Sequence, residues 1–311
     1  MTIQTLQYLQ DPTAAIKTKT ITTPPPTALK ELLRSKITEK YTKEAEEQKL
    51  LGAYTNKQRQ DKQLPPTANQ ILKKRKNIPD IVYSVNKTIR HQLLPTKPYQ
   101  ESKAQMTITD TICRMCHTAT ESTTHVLSAC SKIAQILYTA RHDRMLRPIY
   151  HCLLDKYNFQ ESDHGKPWHQ QSLPRAVLEN EKAKIYWNVS FILEKPPENG
   201  ANKPDVIVHD KETNTWTQLE GTVCQVDKIA DRVKKKQTKY TEQRSSIKRE
   251  YKSTGVYQIN IVFDFLGRHH DQLRNDLRSI TNTELSYLVE RCQKWILSQN
   301  VNIVKKFYEF V

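Results

Sequence analysis

The sequence predicts a mixed α/β (α+β) fold that carries a small metal module and a helical N-terminal arm. Three observations predict it. Runs of strand character, Val206-Ile207-Val208, Trp216–Val223 and Val256–Phe265, alternate with long charged helical stretches in the second half of the chain. Three of the six Cys fall within eighteen residues, beside a His. From Ala28 to about Gln60 the chain reads as a highly charged helix, with Leu29, Leu32 and Leu33 and then few apolar positions.

Composition narrows the function classes. The chain has 311 residues, 37% hydrophobic and 8% aromatic, which suffices for at least one modest core. No apolar run approaches ~18 residues, which argues against a membrane span. Met1-Thr2-Ile3-Gln4-Thr5 lacks the charged-then-apolar pattern of a secretory signal. Six Gly exclude collagen-like architecture, and no GxxxxGK[ST] or GxGxxG stretch supports nucleotide binding by such loops. Lys and Arg number 49 against 33 Asp and Glu, a net charge of +16. That excess favours a polyanionic partner, most simply nucleic acid. The plain alternative is a basic chain kept soluble by its charge. A membrane-surface role lacks the long basic amphipathic stretch with Trp or Phe anchors that it needs.

Along the chain, residues 10–27 are dominated by Thr and Pro and read as unstructured. Pro65-Pro66 breaks the first helix. Ile71-Leu72-Lys73-Lys74-Arg75-Lys76 is a short basic cluster, readable as a nuclear address, a phosphate contact or a solvated helix face. Ile78 to Leu94 reads as a helix, because Ile81, Val82, Val85 and Ile89 recur at helical spacing. Further helices are expected around Lys132–Tyr138 and Ile149–Lys156, and Gly165-Lys166-Pro167-Trp168 reads as a boundary. Beyond it, Val177 to Trp187 reads as a helix or helix–strand unit, Asp227–Lys252 as one long helix and Glu284–Gln299 as a closing helix. Ile259, Ile261 and Phe263 share one strand face. The expected division is 1–105 (tail and basic helical connector), 106–165 (zinc module with helices) and 166–311 (α/β domain).

The Cys/His cluster is Cys113-Arg-Met-Cys116, eight residues, His125, four residues, Cys130. Thiolates plus an imidazole are the ligand set of tetrahedral Zn²⁺, and a two-residue gap lets one turn present two sulfurs. With four protein ligands no coordination position stays open, so the expected role is structural. His117 is expected to be a bystander. Arg114 and Lys132 suit a nucleic-acid surface, although solvated charges would look the same.

A second constellation follows from hairpin geometry. If the turn Asp210-Lys-Glu-Thr-Asn-Thr215 is centred between Glu212 and Thr213, then His209 faces Trp216, Val208 faces Thr217, Val206 faces Leu219 and Asp205 faces Glu220. Opposed residues have Cβ atoms only ~5 Å apart. Two carboxylates at that distance call for a cation, and Mg²⁺ is the default hard ion. A register shifted by one or two residues leaves instead two solvated acids. In the following helix Ile229, Val233, Tyr240, Ile247 and Tyr251 share one face; Lys236 falls near the middle of that stripe and Lys239 at its edge. A lysine there either snorkels to solvent or has an anionic partner. Two acids and a lysine make a plausible metal-dependent phosphodiester hydrolase. Ten basic against four acidic residues from Asp227 to Lys252 add a phosphate-facing flank.

Several of these segments resemble one family. Leu94-Pro95-Thr96, Cys113-x2-Cys116, Glu121-Ser122-x2-His125-Val126-Leu127-x2-Cys130 and Tyr138-x2-Arg141-His142-Asp143 are similar to the zinc-knuckle region of non-LTR (LINE-type) retrotransposon proteins that carry a restriction-like endonuclease and insert at specific ribosomal gene sites. Val177-Leu-Glu-Asn180, Lys184-Ile-Tyr-Trp187, Lys203-Pro204-Asp205, Glu220, Asp227, Lys236-Gln-Thr-Lys239-Tyr240 and Phe265-Leu-Gly267 resemble that endonuclease. The match spans about residue 65 to about 270. It implies a restriction-endonuclease-like core with a CCHC zinc module. It implies that Asp205 and Glu220 bind Mg²⁺, that Lys236 and Lys239 complete the catalytic site, and that Cys113, Cys116, His125 and Cys130 bind Zn²⁺. It further implies a nuclear protein that nicks target DNA, with element RNA and a reverse transcriptase, in the same or another polypeptide, as partners. Glu220 stands where an Asp is more usual, and Asn188 where an Asp is common; Glu179 or Glu194 could supply a third acid. No Tyr/Phe-x-Asp-Asp signature occurs, so the chain reads as the C-terminal portion of such a protein. The alternatives are a catalytically inactive zinc-containing nucleic-acid-binding protein and a resolvase-like enzyme of branched DNA.

Overall fold

The computed structural model describes residues 26–47, 52–54, 64–65, 70–73, 78–194, 197–281 and 283–309. Most of the Thr/Pro-rich tail, residues 48–51 and 55–60 of the first helical stretch and Lys74-Arg75-Lys76 lie outside the described residues. The chain divides into two compact units, Met1–Glu47 and Gln48–Val311. The first contains α1 (Pro26–Glu47), a helix opened by a proline, with i,i+3 and i,i+4 pairs Lys36–Glu39 and Lys40–Glu44.

The second unit is mixed α+β around one five-stranded sheet. Its helices before the sheet are α2 (Gln70–Lys73), α3 (Asp80–Arg90), α4 (Lys97–Ser102), α5 (Thr123–Ser128) and α6 (Thr139–Lys156), the last entered through a turn Ser131–Ile133 and a π-helical turn Ala134–Tyr138. The strands are β1 (Val177–Glu179), β2 (Ala183–Trp187), β3 (Val206–Asp210) and β4 (Thr215–Cys224). Helices α7 (Ile229–Lys239) and α8 (Thr241–Glu250) then cross over to β5 (Gly255–Asp264), followed by α9 (Leu273–Arg278) and α10 (Leu285–Glu309). Strand order is β1-β2-β3-β4-β5, antiparallel up to β4 and parallel between β4 and β5. The parallel pair is what requires the two-helix crossover. Among the described residues no helix is long and apolar enough to cross a membrane.

Strand alternation divides the sheet into two covered faces. Ile185, Val206, Val208, Leu219, Ile259, Ile261 and Phe263 share a buried core with Met145 to Leu154 of α6 and Leu288 to Ile296 of α10. Ile207 and Trp216 turn the other way, onto Ile247 of α8 with Phe191 and Leu193. Cys224 and Val262 meet Ile229 of α7. The predicted face Ile259/Ile261/Phe263 is therefore the principal core face.

Four expectations need correction. Val177–Trp187 is a β-hairpin, not a helix or a helix–strand unit: Asn180 Oδ1 accepts from the backbone N–H groups of Lys182 and Ala183 and closes the turn. Asp227–Lys252 is two helices, broken at Tyr240, whose buried hydroxyl donates to the Lys203 carbonyl. The helices near 132–138 and 149–156 form one succession through Pro148, because Met145 to Leu154 is buried and packing outweighs one missing backbone bond. On α3 the inward stripe is Val82, Asn86 and Ile89, while Ile81 is exposed.

The 106–165 segment does not stand apart from the sheet. Its α6 helix, with Cys152, lies in the main core, and Cys113, Cys116 and Cys130 share a second core with Val226, Phe265, Leu266, Ile303 and Phe307. A buried polar hub ties the same parts together. Asn300 donates to the Phe265 carbonyl and to Asn86 Oδ1, and accepts from Arg141.

Candidate functional site

The Cys/His cluster is assembled as its spacing predicts. Cys113, Cys116, His125 and Cys130 are all buried, and one donor atom from each lies within 4.8 Å of the others. The turn carrying Cys113 and Cys116 is followed by a bridge between Ile112 and Thr120, which returns the chain toward α5. There Ser122 caps the helix by accepting from the His125 N–H, which sets the imidazole on the inward side. His125 Nε2 comes 3.3 Å from Cys116 Sγ, and Cys113 and Cys130 Sγ atoms are 4.0 Å apart. Three thiols and an imidazole converging without a disulfide suit a metal ion such as zinc. His117 is exposed and outside the cluster. Arg114 is not a free surface cation: its guanidinium forms a fork on buried Glu121, at 2.8 and 2.7 Å, and lies over the Phe307 and Tyr308 rings. Lys132 is exposed.

The second constellation sits at the end of β3. The hairpin pairs Val206 with Leu219, Val208 with Thr217 and His209 with Trp216, the register predicted from the turn. Asp210 Oδ1 accepting from Thr213 N–H and Asn214 at φ 50° form that turn. Asp205, one residue before β3, thereby meets Glu220 in β4, and its N–H approaches Glu220 Oε1 at 3.4 Å. Lys236 of α7 closes the group, with Nζ 2.7 Å from Glu220 Oε2 and 3.4 Å from Asp205 Oδ2. Glu220 is fully buried, and Asp205 and Lys236 are each 18% exposed at the side chain.

Lys239 does not reach the acids. Its ammonium lies over the Tyr240 ring and donates to the Tyr240 hydroxyl at 2.8 Å. Tyr240 in turn holds the Lys203-Pro204-Asp205 segment through its 2.9 Å bond to the Lys203 carbonyl. Asn188 lines the same cleft, with its N–H bonded to the Asp205 carbonyl and φ at 53°. Neither candidate third acid joins the group: Glu179 is paired with Lys184 and Lys211, and Glu194 is exposed.

Electrostatics follow from the shared burial. Glu220 is pushed above the usual carboxylate range by burial and by Asp205 beside it, against the pull of Lys236. Burial also opposes the Asp205 charge, but His142, Lys236 and the Gly221 N–H outweigh it and hold the carboxyl down. Lys236 is raised, because its two anionic partners outweigh desolvation.

Two neighbours were not singled out as site residues from sequence. His142 of α6 brings Nε2 to 3.1 Å from Asp205 Oδ2, and Asp143 Oδ1 lies 2.9 Å from His142 Nδ1. Gly221, next to Glu220, donates its N–H to Asp205 Oδ2 at 2.7 Å. A lone glycine inside a strand is a signal of close approach that could have drawn attention to this position. His142, Asp143, Asn188, Asp205, Gly221 and Lys236 line one open cleft of about 430 Å³.

A polar seam seats α7 and α8 on the sheet beside this cleft. Gln258 donates to the Lys236 carbonyl and to Asn260, the β5 partner of Glu220, and Gln218 donates to Gln243. Lys234, Lys235 and Lys239 stay exposed on α7. No protein-family model and no curated protein matches the chain.

Proposed function

We propose that the second unit is a Mg²⁺-dependent phosphodiester hydrolase that nicks DNA, built on a restriction-endonuclease-like core. The observation that carries this reading is one ammonium bridging a buried carboxylate, Glu220 within β4, and a part-buried one, Asp205 just before β3, at the edge of an open cleft that Asp205 and Lys236 line and exposed lysines flank. The donor set fits a hard divalent ion: two carboxylates, hard oxygen donors, face a single ammonium. Asp205 and Glu220 would hold Mg²⁺, which when bound polarises the scissile phosphate and lowers the pKa of an attacking water. Lys236, already aimed at this point, is placed to stabilise negative charge developing on the phosphate. Tyr240, with the Lys239 ammonium on its hydroxyl, holds the segment that carries Asp205. Lys234 and Lys235 offer contacts to flanking phosphates.

The resemblance to non-LTR retrotransposon proteins supplies the rest of this proposal: target DNA as substrate, element RNA and a reverse transcriptase as partners, zinc in the Cys/His cluster and the nucleus as the site of action. A catalytically inactive nucleic-acid-binding protein is the second reading, favoured by Asn188 occupying the cleft where a third acid is usual.

Nicking of supercoiled plasmid in Mg²⁺ against EDTA separates the two. The expected result is Mg²⁺-dependent nicking by the wild-type chain and none by Asp205→Ala, with DNA affinity changed less than threefold. Cleavage that survives Asp205→Ala rejects the assignment, and DNA binding without any nicking selects the inactive reading. A four-way junction cut in preference to linear DNA selects the resolvase-like one. DNA affinity is also expected to fall steeply between low and moderate salt, because phosphate contacts release counterions. A flat log Kd against log salt would remove the nucleic-acid reading.

A further inference from the structure

We infer that His142, oriented by Asp143, is the positioning residue for Asp205 in the cation site. The inference rests on the nuclease reading above and adds to it two residues from the opposite side of the sheet.

The geometry is specific. His142 and Asp143 lie one turn into α6, which packs against the sheet face opposite to α7. His142 Nε2 is 3.1 Å from Asp205 Oδ2, and His142 Nδ1 is 2.9 Å from Asp143 Oδ1. Each ring nitrogen faces a carboxylate oxygen, so both N–H groups donate and the ring cannot turn without losing both bonds. Three donors then converge on Asp205 Oδ2: Gly221 N–H at 2.7 Å, His142 at 3.1 Å and Lys236 at 3.4 Å. Among the described residues Oδ1 accepts no hydrogen bond. One oxygen is thus pinned and the other is left for a ligand. Orienting contacts of this kind commonly govern how well a carboxylate serves a metal.

Gly221 supplies independent support. A Cβ there would sit 2.9 Å from His142 Nε2 and 2.8 Å from Leu146 Cδ1. Its value is therefore space: the missing side chain opens a gap in the sheet through which a helix on one face reaches an acid that also meets α7 on the other. The same gap seats Leu146, and Asp143 beside His142 is 38% exposed at the cleft instead of buried in the core.

The test uses the full chain, with Mn²⁺ binding followed by calorimetry and Mg²⁺ titrations of plasmid nicking. His142→Leu is expected to weaken Mn²⁺ binding roughly 10–100-fold and to raise the Mg²⁺ needed for half-maximal nicking by the same factor. The rate should recover at saturating metal. His142→Gln, which places an amide N–H near the Nε2 position, should keep most of the affinity, and Asp143→Asn should fall between. Unchanged Mn²⁺ affinity in His142→Leu overturns the inference, as does a loss of rate with no change in metal requirement. If His142→Leu does not fold, Asp143→Asn decides by the same two readouts. A wild-type chain that binds no Mn²⁺ overturns the nuclease reading and this inference together. Binding by wild type that His142→Leu leaves intact overturns the inference alone.

Discussion

Lys236→Met is expected to lower the unfolding free energy by about 3–5 kcal/mol at neutral pH without divalent ions, the cost of breaking a buried charge pair from one side. The figure follows from what the substitution leaves behind. Methionine fills nearly the same volume, so little packing is lost. Glu220, fully buried, loses its 2.7 Å partner while Asp205 remains beside it. Two carboxylates in low dielectric then keep His142 on the far side of Asp205 as their contacting cation, with the more distant Lys239 acting on Glu220.

The sign of the pH dependence can be worked out. The Glu220 carboxyl is already raised in the native protein, and removing Lys236 removes a lowering influence. A carboxyl whose folded pKa lies above its unfolded value favours the folded state most where both states are protonated, and loses that advantage as pH rises through the folded pKa. The deficit of Lys236→Met should therefore shrink as pH falls from 7 toward the ordinary carboxylate range. It should also shrink in the double variant with Glu220→Gln, and on adding millimolar Mg²⁺. Urea unfolding at two pH values measures all three. A Lys236→Met chain as stable as wild type at pH 7 would show that the ammonium is solvated and the acids are not in each other's field.

How much of this site could be read from sequence depends on the distance over which each signal acts. The β3–β4 register was readable because a short polar turn and strict alternation determine pairing locally, and Val206 opposite Leu219 fixes Asp205 near Glu220. Lys236 was readable as an anomaly, a charge in an apolar stripe. The role of Lys239 was not, because its position beside Lys236 says nothing of Tyr240, which draws its ammonium away from the acids. Neither was the break at Tyr240, since no glycine or proline marks it and the cause is a contact with Lys203 from a distant loop. Val177–Trp187 misled because its strands are three and five residues long, too short for period two to outweigh period 3.6. His142 was hidden for a related reason. A His-Asp pair on a helix is commonplace, and only the packing of α6 over Gly221 gives it an address.

The Cys/His cluster leads to the second large effect. A metal knuckle that folds by itself should melt by itself, leaving the α/β core transition unchanged when the metal is removed. The structure predicts the opposite. Cys113, Cys116 and Cys130 share one buried cluster with Val226 and Phe265 from the sheet ends and Ile303 and Phe307 of α10, and α10 also forms part of the main core. Structural zinc sites contribute on the order of 10 kcal/mol of binding free energy at neutral pH, and that energy is folding energy wherever the ligands are brought together only by folding. Loss of the metal should therefore spread through α10 into the sheet. Stripping zinc with a strong chelator, or replacing Cys116 by Ser, is expected to lower the main calorimetric transition by about 10 °C or more, since 1 kcal/mol shifts a domain of this size by roughly 2–4 °C. Acidification should act in the same direction, because thiolate and neutral imidazole ligands are lost to protons. Metal analysis should return one zinc per chain for wild type and well under one for Cys116→Ser. If the stripped protein keeps the main transition and loses only a small early one, the cluster is a detachable module and its burial against α10 carries little free energy. If wild type contains no zinc yet melts normally, packing alone holds Cys113, Cys116, His125 and Cys130 together, and their convergence has another cause.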